Sequence, residues 1–415
     1  MPDSPPAQPL LLSPLTLAGS TLKNRVVISP MCTYSAQDGL ANDWHLVHLG
    51  KFALGGAAVV FTEAAAVEAR GRITHGDLGI WSAGHAAALR PVTDFLRAHG
   101  ALPGIQIAHA GRKASMQRPW HGNAAMTDAD IARGETPWEI VAPSPLPSRE
   151  GWLVPHELDT AEIAGIVCAF ADAAHHAADA GFQVLEIHSA HGYLGHSFLS
   201  PVSNRRTDGY GGDLAGRMRF TLETAEAVRA AWPSDKPLFV RISSVDIDGD
   251  AADGDGAVWR LEDSVMLARE LKARGVDVID CSSSGISGVA TAAQGAMPLG
   301  FRLPYAARIG HDAGIATMVV GLILDGPQAE AMLQSGDTDL IAIGREALFD
   351  PFWALHAAHA LGADPEFAQW PEQYGWWLTR RLSVPILPFP VCRTRPWPIR
   401  SASISTSSPP IPMSR

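Results

Sequence analysis

The sequence predicts an α/β fold, a single (β/α)8 TIM barrel with long loops at the C-terminal face. Eight short runs rich in valine and isoleucine recur along the chain, and a longer amphipathic segment separates each run from the next. The runs are continuously apolar rather than alternating, which is typical of parallel strands that are buried on both faces. A doubly wound sheet is the alternative, but no GxGxxG motif follows the first run.

The strands are predicted in chain order from these runs. They are RVVIS (25–29), AAVVFTE (57–63), PGIQIAH (103–109), FQVLEIH (182–188), PLFVRIS (237–243), VDVIDCS (276–282), ATMVVG (316–321) and TDLIAIG (338–344). The segments between them carry helix signals. Asp159 and Thr160 stand where an N-cap is expected, and Gly181 and Gly275 stand where helices end.

Three polar excursions follow the third, fourth and sixth predicted strands. The first is rich in Pro, Gly and Trp, the second reads LSPVSNRRTDGYGG, and the third reads SSSGISGVATAAQGAMPLGFRLP. All three lie at the C-terminal ends of strands, where barrel enzymes build their sites. The sequence therefore predicts that the functional residues gather at this face.

Composition excludes several classes of protein. The 415 residues are 47% hydrophobic and 18% charged, with a formal net charge of -11, which disfavours nucleic acid and anionic membranes as partners. The four cysteines are scattered, so a disulfide framework or an iron-sulfur cluster is not indicated. No secretory signal or membrane span is recognisable, and we expect a cytoplasmic enzyme. Residues 1–382 are predicted to form the barrel, and 383–415 a Pro/Ser-rich disordered tail.

The stretch EIHSAHGY carries the strongest chemical signal. It delivers His188, His191 and Tyr193 into a loop after the fourth strand. Two imidazoles can hold one substrate oxygen, and a phenol can donate a proton to a neighbouring carbon. Half of a zinc site is an alternative, but no CxxC or HExxH motif accompanies the pair, and we predict no metal. Ordinary hydrogen-bonded histidines at a strand end are the remaining alternative.

Reduction of a polarised double bond also needs a hydride donor, which no side chain provides, so a cofactor is required. Loops after the seventh and eighth strands of barrels commonly bind phosphate, and here they contain Gly321, Gly344 and Arg345. Arg241 and Gln106 stand inside otherwise apolar strands. Flavin mononucleotide fits this set, whereas pyridoxal phosphate fits it worse because no lysine lies at a strand end.

These motifs, in this order, resemble the old yellow enzyme family of FMN-dependent ene-reductases. The resemblance runs from about Leu12 to Leu382 and rests on LKNRVVISPMCTYSAQDGLANDWHLVHLG, GIQIAHAGRKAS, EIHSAHGYLGHSFLSPVSNRRTDGYGGDLAGRMRF and GREALFDPFWA. The cysteine in SPMCTYS is similar to that of the xenobiotic-reductase-like bacterial branch. The segment WPEQYGWWL resembles the end of that branch, where a tryptophan, here Trp377, helps to complete an active site.

The resemblance assigns expected roles by position. An FMN site is implied at Ser29, Pro30, Met31, Cys32, Ala64, Gln106, Arg241, Gly344 and Arg345. His188 and His191 would bind a carbonyl or nitro oxygen, Tyr193 would protonate the α-carbon, and Tyr34 would line the substrate pocket. Arg241 would stabilise the reduced flavin, and Cys32 would tune it. Phe301 would replace the tryptophan that some relatives carry in the loop between strands six and seven.

The expected protein is thus an FMN-dependent oxidoreductase that takes hydride from NADPH or NADH and reduces activated alkenes by a ping-pong mechanism, with nitro compounds as a second class of substrate. Partners are expected to be small molecules and a second copy in a homodimer. One rival is a flavoenzyme like 2,4-dienoyl-CoA reductase, which would usually need a cysteine cluster and a second nucleotide-binding domain. The other is a catalytically silent barrel that serves as a scaffold.

Overall fold

The parallel barrel expected from the sequence is confirmed. The computed structural model describes residues 8–247, 258–287 and 296–385. The predictions for the tail beyond 385, and for residues 288–295 of the third excursion, lie outside the described residues. Each barrel strand is parallel to its neighbours, and the last pairs with the first through Ile341 and Val26. The barrel strands are β3 (Val26–Ile28), β4 (Val59–Ala66), β5 (Leu102–Ala108), β8 (Val184–Ser189), β9 (Leu238–Ser243), β10 (Val278–Ser282), β11 (Ala316–Val320) and β12 (Leu340–Ile343).

Short elements close the barrel and build its loops. The hairpin of β1 (Leu15–Leu17) and β2 (Ser20–Leu22) covers the bottom, where Leu22 packs on the interior layer. Two paired strands, β6 (Val141–Ala142) and β7 (His156–Glu157), lie in the first excursion. Within the described part of the chain, 3-10 turns lie at Leu10–Leu12, Ala69–Gly71, Gly111–Lys113 and Pro119–His121.

Helices surround the barrel and line its upper rim. They are α1 (Asp43–Leu54), α2 (Ala83–Ala98), α3 (Asp128–Ala132), α4 (Thr160–Asp179), α5 (Leu194–Leu199), α6 (Leu214–Ala231), α7 (Leu261–Ala273), α8 (Leu303–Ala313), α9 (Gly326–Gln334), α10 (Arg345–Phe349), α11 (Trp353–Ala360) and α12 (Glu372–Leu382). Among the described residues, none of these helices combines the length and apolarity needed to cross a bilayer.

The predicted helix signals have the expected local causes. Asp159 caps α4, since its carboxylate accepts a bond of 2.8 Å from the Glu162 amide while the Glu162 carboxylate accepts the Asp159 amide at 2.9 Å. Gly181 and Gly275 follow α4 and α7 with φ of 91° and 81°, a left-handed backbone that glycine adopts without a Cβ clash.

The second strand differs from its prediction. It was expected over 57–63, but β4 continues to Ala66, so Ala64 lies inside the strand. Its pairing with β5 shifts register between Phe61 and Ala64. Such an irregularity re-aims a side chain next to a site. Here Glu63, which falls in the shifted region, contacts the loop after β3 rather than the β5 neighbour.

The barrel interior is layered. Its lower part is apolar and includes Val184, Phe239, Val278 and Met318. Two residues further along β8, β9 and β10 the inward side chains become charged, because β-strand side chains repeat their orientation every second residue. The apolar layer therefore supports a polar layer and, above it, the carboxyl ends of the strands.

Candidate active site

Three rings that the sequence predicted to act together are brought together at the end of β8. The His188 ring centroid lies 5.2 Å from that of His191 and 4.9 Å from that of Tyr193, both in edge-to-face geometry. The His191 and Tyr193 centroids are 6.5 Å apart. The three rings therefore pack against one another at the C-terminal end of the barrel.

His188 is uncharged and keeps one ring N–H donor. The Ala190 amide donates a 3.1 Å bond to His188 Nδ1, so Nδ1 bears the lone pair and the ring proton is on Nε2. Burial, with Arg241 adding to it, lowers the pKa of His188 well below its usual value. The backbone thus fixes the tautomer, and the environment keeps the ring uncharged.

His191 is held in a backbone conformation that side chains seldom adopt, with φ of 59°. Its amide donates to Ser243 Oγ at 3.0 Å, and its Nε2 lies 2.6 Å from Ser282 Oγ. Burial and the charge of Arg241 lower the pKa of His191 well below its usual value. Two serines at the ends of β9 and β10 therefore fix the position of this ring.

Tyr193 is the N-cap residue of α5 and is 8% exposed. Burial raises the pKa of its phenol well above the usual value, and Cys32 and Asp77 raise it further. The phenol therefore stays protonated at neutral pH. It lines a small cleft together with Ala64, Ala66, Gly71, Ile73, Asp77, Ala108 and Ala110.

The loop after β3 brings Cys32 and Tyr34 into one hydrophobic cluster with Tyr193. Removal from water raises the pKa of the Cys32 thiol well above its usual value. Glu63 anchors this loop. Its carboxylate accepts bonds from the Thr33 amide at 3.1 Å, the Thr33 hydroxyl at 2.7 Å and the Tyr34 amide at 3.2 Å.

Inside the barrel, Gln106 and Arg241 stand among buried polar partners. Gln106 Nε2 donates to Glu186 at 2.7 Å, and Arg241 donates from one terminal nitrogen to Ser29 Oγ at 3.2 Å. Gln106 and Arg241 are 2% and 7% exposed, so both carry buried polar groups beneath the ends of the strands. A planar group with alternating donors and acceptors, such as the pyrimidine ring of a flavin, suits these residues.

The ends of β11 and β12 supply the rest of a phosphate-bearing cofactor site. Gly321 has φ of 128°, and a Cβ built on Gly344 would meet only Met31 Sδ at 4.0 Å. The backbone is therefore open to close approach at Gly344, whereas a side chain at Gly321 would be strained and crowded. Arg345 begins α10 with an exposed side chain. Pro30 and Met31 are half-buried and lie in the adjoining loop after β3. The residues present thus fit FMN.

Phe301 and Trp377 are the remaining side chains that were predicted to contribute to the site. The Phe301 ring packs against the Arg302 guanidinium, 4.4 Å from its centroid, and approaches Gly321 at the cofactor end of the cleft. Trp377 is 67% exposed on α12, where its ring contacts Trp376. The structure does not bring Trp377 to the His188 cluster of its own chain, so its role stays a prediction.

Sequence reasoning missed four buried groups that build the site. Lys113 donates to the backbone carbonyls of His191, at 2.7 Å, and Gly285. Asp77 accepts bonds from the Ile73 and Thr74 amides at 2.6 and 2.9 Å. Glu63 anchors the loop after β3, and Asp280 pairs with Arg241, whose Nε lies 3.2 Å from Asp280 Oδ2. For Glu63 and Asp280 the one available signal was a charged residue within an apolar run, which was used only for Arg241.

One group of possible metal ligands lies in the first excursion, at His121, Asp130 and Glu135. Asp130 already accepts bonds from the Gln117 amide nitrogen and the Thr127 amide and hydroxyl, each at 2.7 Å. Both carboxylates also pair with arginines. These contacts account for the cluster as part of the loop's own structure.

Comparison with known proteins places the chain in one family. The sequence profile of the NADH:flavin oxidoreductase / NADH oxidase family matches residues 10–364. An NADPH dehydrogenase of Geobacillus sp. (strain WCH70) is 42% identical over 355 residues, covering 85% of this chain and 95% of the relative. An NADPH dehydrogenase of Listeria innocua serovar 6a is 43% identical over 366 residues, covering 88% and 98%. The structure of morphinone reductase in complex with tetrahydroNAD is 25% identical, with a TM-score of 0.68 over 86% of this chain and 92% of that one.

The family match and the geometry agree on the cofactor. The profile spans the loop after β3, the polar interior of the barrel and the glycines at the ends of β11 and β12, which are the places where the described residues suit a flavin. The chain therefore belongs to the NADH:flavin oxidoreductase / NADH oxidase family, the old yellow enzyme family of FMN-dependent oxidoreductases.

Proposed function

We propose that this protein is an NAD(P)H-dependent ene-reductase that reduces activated C=C bonds of enones, and also accepts nitro compounds. The observation that carries the proposal is the cluster of the His188, His191 and Tyr193 rings, in which two uncharged imidazoles pack edge-to-face around a protonated phenol. Two donors for an oxygen and one proton source beside them are what reduction of a polarised double bond requires.

The two histidines would hold the carbonyl or nitro oxygen. His188 Nε2–H is directed by the Ala190 amide on the opposite nitrogen, and His191 is fixed by Ser243 and Ser282. Hydrogen bonds to this oxygen withdraw electrons from the conjugated double bond, which makes the β-carbon electrophilic. Because both donors are preorganised by the backbone, little reorganisation is needed when charge develops on the oxygen.

Tyr193 would supply the proton to the α-carbon. Its environment keeps the phenol protonated, since burial and the nearby Cys32 and Asp77 all raise its pKa. Bound FMN supplies the other half of the reduction, a hydride from N5 that originates from NAD(P)H. Gln106, Arg241, Gly321, Gly344 and Arg345 would hold it, with Arg241 near the electron-rich edge of the ring.

The nicotinamide reductant is proposed from the relatives. Those that are 42% and 43% identical are NADPH dehydrogenases, and morphinone reductase was solved with tetrahydroNAD. We propose NADPH or NADH as the reductant, a cytoplasmic location, and a homodimer in which Trp377 approaches the site of the second copy. Residues 1–382 would form the catalytic barrel, and 383–415 would be a separate tail.

The two rival functions fit the site less well. A dienoyl-CoA-reductase-like activity has no support from the relatives at 42% and 43% identity, which are NADPH dehydrogenases. A silent scaffold has no need of a strained His191 or of a buried, fixed tautomer at His188.

An anaerobic titration tests the proposal. The purified yellow protein is reduced with NADPH or NADH, and flavin absorbance is followed while an enone, a maleimide, a nitroalkene or a nitrate ester is added. We expect the enone and the maleimide to restore the oxidised spectrum with formation of the saturated product. Reoxidation by oxygen or quinone alone would contradict the proposed substrate class.

A further inference from the structure

A charged layer crosses the interior of the barrel directly beneath the candidate site. Glu186 and Asp280 are 0% exposed, and Gln106 and Arg241 are 2% and 7% exposed. Gln106 pairs with Glu186 in the register of β5 and β8, and Asp280 pairs with Arg241 in that of β9 and β10. Two acids and one base are therefore enclosed in one layer, away from solvent.

The contacts in this layer require a proton. Gln106 Nε2 donates to Glu186 Oε1 at 2.7 Å, and Arg241 Nε lies 3.2 Å from Asp280 Oδ2. The carboxyl groups of Glu186 and Asp280 face each other within hydrogen-bond reach. Two ionised carboxylates cannot bond to each other, since neither has a donor. One of them must carry a proton.

The ion pair between Asp280 and Arg241 indicates which one, because Glu186 Oε2 and both Asp280 oxygens alike lack a hydrogen-bond donor among the described residues. Glu186 Oε2 has no other partner among the described residues, while Oε1 accepts from Gln106. A neutral Glu186 would accept through its carbonyl Oε1 and donate through Oε2–H to Asp280. Asp280 would then be the carboxylate that faces Arg241. Burial raises the pKa of Glu186 well above its usual value, with Asp280 adding to the effect, in agreement with this assignment.

The proton also balances the charge of the layer. With both acids ionised, the layer would carry two negative charges against Arg241, and burial of an uncompensated charge costs several kcal/mol. With one proton on Glu186, the ionised Asp280 and Arg241 form a pair whose charges cancel. The other charged or titratable groups nearest the layer, His188, His191, Lys113 and Arg302, lie toward the cleft and provide no further negative charge.

We propose that Glu186 is held as a neutral carboxylic acid that donates to Asp280, and that this pair positions Gln106 and sets the effective charge that Arg241 presents to bound flavin. Glu186 and Asp280 are then positioning residues, which act through the two side chains that face the cofactor. A test by the flavin midpoint potential therefore rests on the proposed flavin site, whereas a test by infrared spectroscopy of the carboxyl groups does not.

Matched variants test the charge assignment through the flavin midpoint potential of the holoenzyme. Glu186→Gln reproduces the neutral acid, with an acceptor for Gln106 and a donor for Asp280, and should leave the potential unchanged. The double variant Glu186→Gln/Asp280→Asn removes the remaining negative charge, leaves Arg241 uncompensated and should favour the reduced ring. We expect a shift of at least tenfold in the reduction equilibrium, about 30 mV for a two-electron couple.

Two outcomes of this comparison overturn the proposal. A potential that rises as much in Glu186→Gln alone would mean that Glu186 is ionised in the wild-type protein. A double variant that matches Glu186→Gln would mean that the pair does not act on the flavin. Neither measurement uses a substrate, so failure of the enone titration would leave both results unaffected.

Infrared spectroscopy of the wild-type holoenzyme tests the proposal even if the variants do not fold. At pH 9 the Asp77 carboxyl, whose pKa burial raises to about 7, is ionised. A carboxylic-acid C=O band that is sensitive to exchange into D2O should persist in the wild-type holoenzyme at this pH and be lost in Glu186→Gln. Absence of such a band in the wild-type protein overturns the proposal.

Discussion

The side-chain nitrogen of Lys113 lies 2.7 Å from the backbone carbonyl oxygen of His191 and donates a hydrogen bond to it. The same nitrogen donates to Gly285, in the loop after β10. Lys113 is 1% exposed, and burial lowers the pKa of its amine well below the usual value. One side chain from the loop after β5 therefore joins two further loops and holds the strained His191 backbone in place.

Replacement of Lys113 by Met should loosen His191 without removing either imidazole. Two buried carbonyls would lose their donor, and each unsatisfied acceptor costs about 1–3 kcal/mol of stability. We expect phenolic ligands to bind roughly 5- to 100-fold more weakly if this cost falls on the bound state. A spectral titration with p-hydroxybenzaldehyde measures the effect.

Lys272→Met is the matched control, because Lys272 donates to the Gly314 carbonyl at an exposed position. Equal affinity in wild type and Lys113→Met would show that His191 does not depend on Lys113.

His188→Ala should weaken the same ligands while FMN remains bound. The substitution removes a neutral Nε2–H donor whose direction the Ala190 amide fixes. Loss of a hydrogen bond to a charged phenolate oxygen costs about 1.5–3 kcal/mol, or roughly 10- to 150-fold in the dissociation constant. His356→Ala, at an exposed ring on α11, should have no effect. Wild-type affinity in His188→Ala would remove this residue from the oxygen site.

The sequence predicts the barrel well because its determinants are local. Continuous apolar runs such as 276–282 and 316–321 coincide with β10 and β11 to within two residues. Burial on both faces forces such composition, and the Asp159 cap and Gly181 mark the ends of α4. Motif residues that lie at strand ends, such as His188 and Tyr193, are placed correctly by the same argument.

The supporting residues could not be found in that way. Glu63 acts because a register shift in β4 releases it toward the loop after β3, and no local pattern predicts the shift. Lys113 stands in the polar sequence GRKAS and is buried only because two loops, distant in sequence, close over it. Asp280 reads as one acid in an apolar run until its register opposite Arg241 is known.

Cys32→Ala should change the flavin without unfolding the barrel, if the thiol contacts the ring as we predict. The thiol is protonated at neutral pH, because removal from water raises its pKa and Glu63 and Asp77 add to the rise. A weak S–H donor is therefore lost, and the midpoint potential and the visible spectrum should both shift. Cys168→Ala, at an exposed cysteine on α4, is the control. Unchanged spectrum and potential in Cys32→Ala would mean that Cys32 only packs.

Asp77 should make stability depend on pH. Burial raises the pKa of its carboxyl from a usual value near 4 to about 7. Between these values the folded protein binds a proton that the unfolded chain lacks, so this contribution to the free energy of unfolding is complete below pH 4 and falls as pH rises to 7. The cost of Asp77→Asn should thus be larger at pH 5 than at pH 8, by on the order of 1–3 kcal/mol.

Urea denaturation across this pH range measures the difference. Asp94→Asn, at a largely exposed carboxylate on α2, should give a difference from wild type that does not change with pH. Parallel stability curves for wild type and Asp77→Asn would mean that Asp77 is ionised throughout, stabilised by the Ile73 and Thr74 donors.

Tyr193→Phe should separate the two halves of the catalytic cycle. The substitution keeps the ring that packs 4.9 Å from His188 and deletes the phenolic proton. Reduction of the flavin by NAD(P)H takes no proton from this residue and should stay near the wild-type rate. The step with an enone should slow by roughly 10²- to 10⁴-fold, the usual contribution of a positioned general acid. Reduction of quinones should slow less, because solvent can protonate their oxygens.

Stopped-flow kinetics measures both half-reactions separately. Tyr374→Phe, at an exposed position on α12, is the control. Equal losses in both half-reactions, or none in either, would assign the proton to another group, and Tyr34, which packs in the same hydrophobic cluster as Tyr193, is the next candidate.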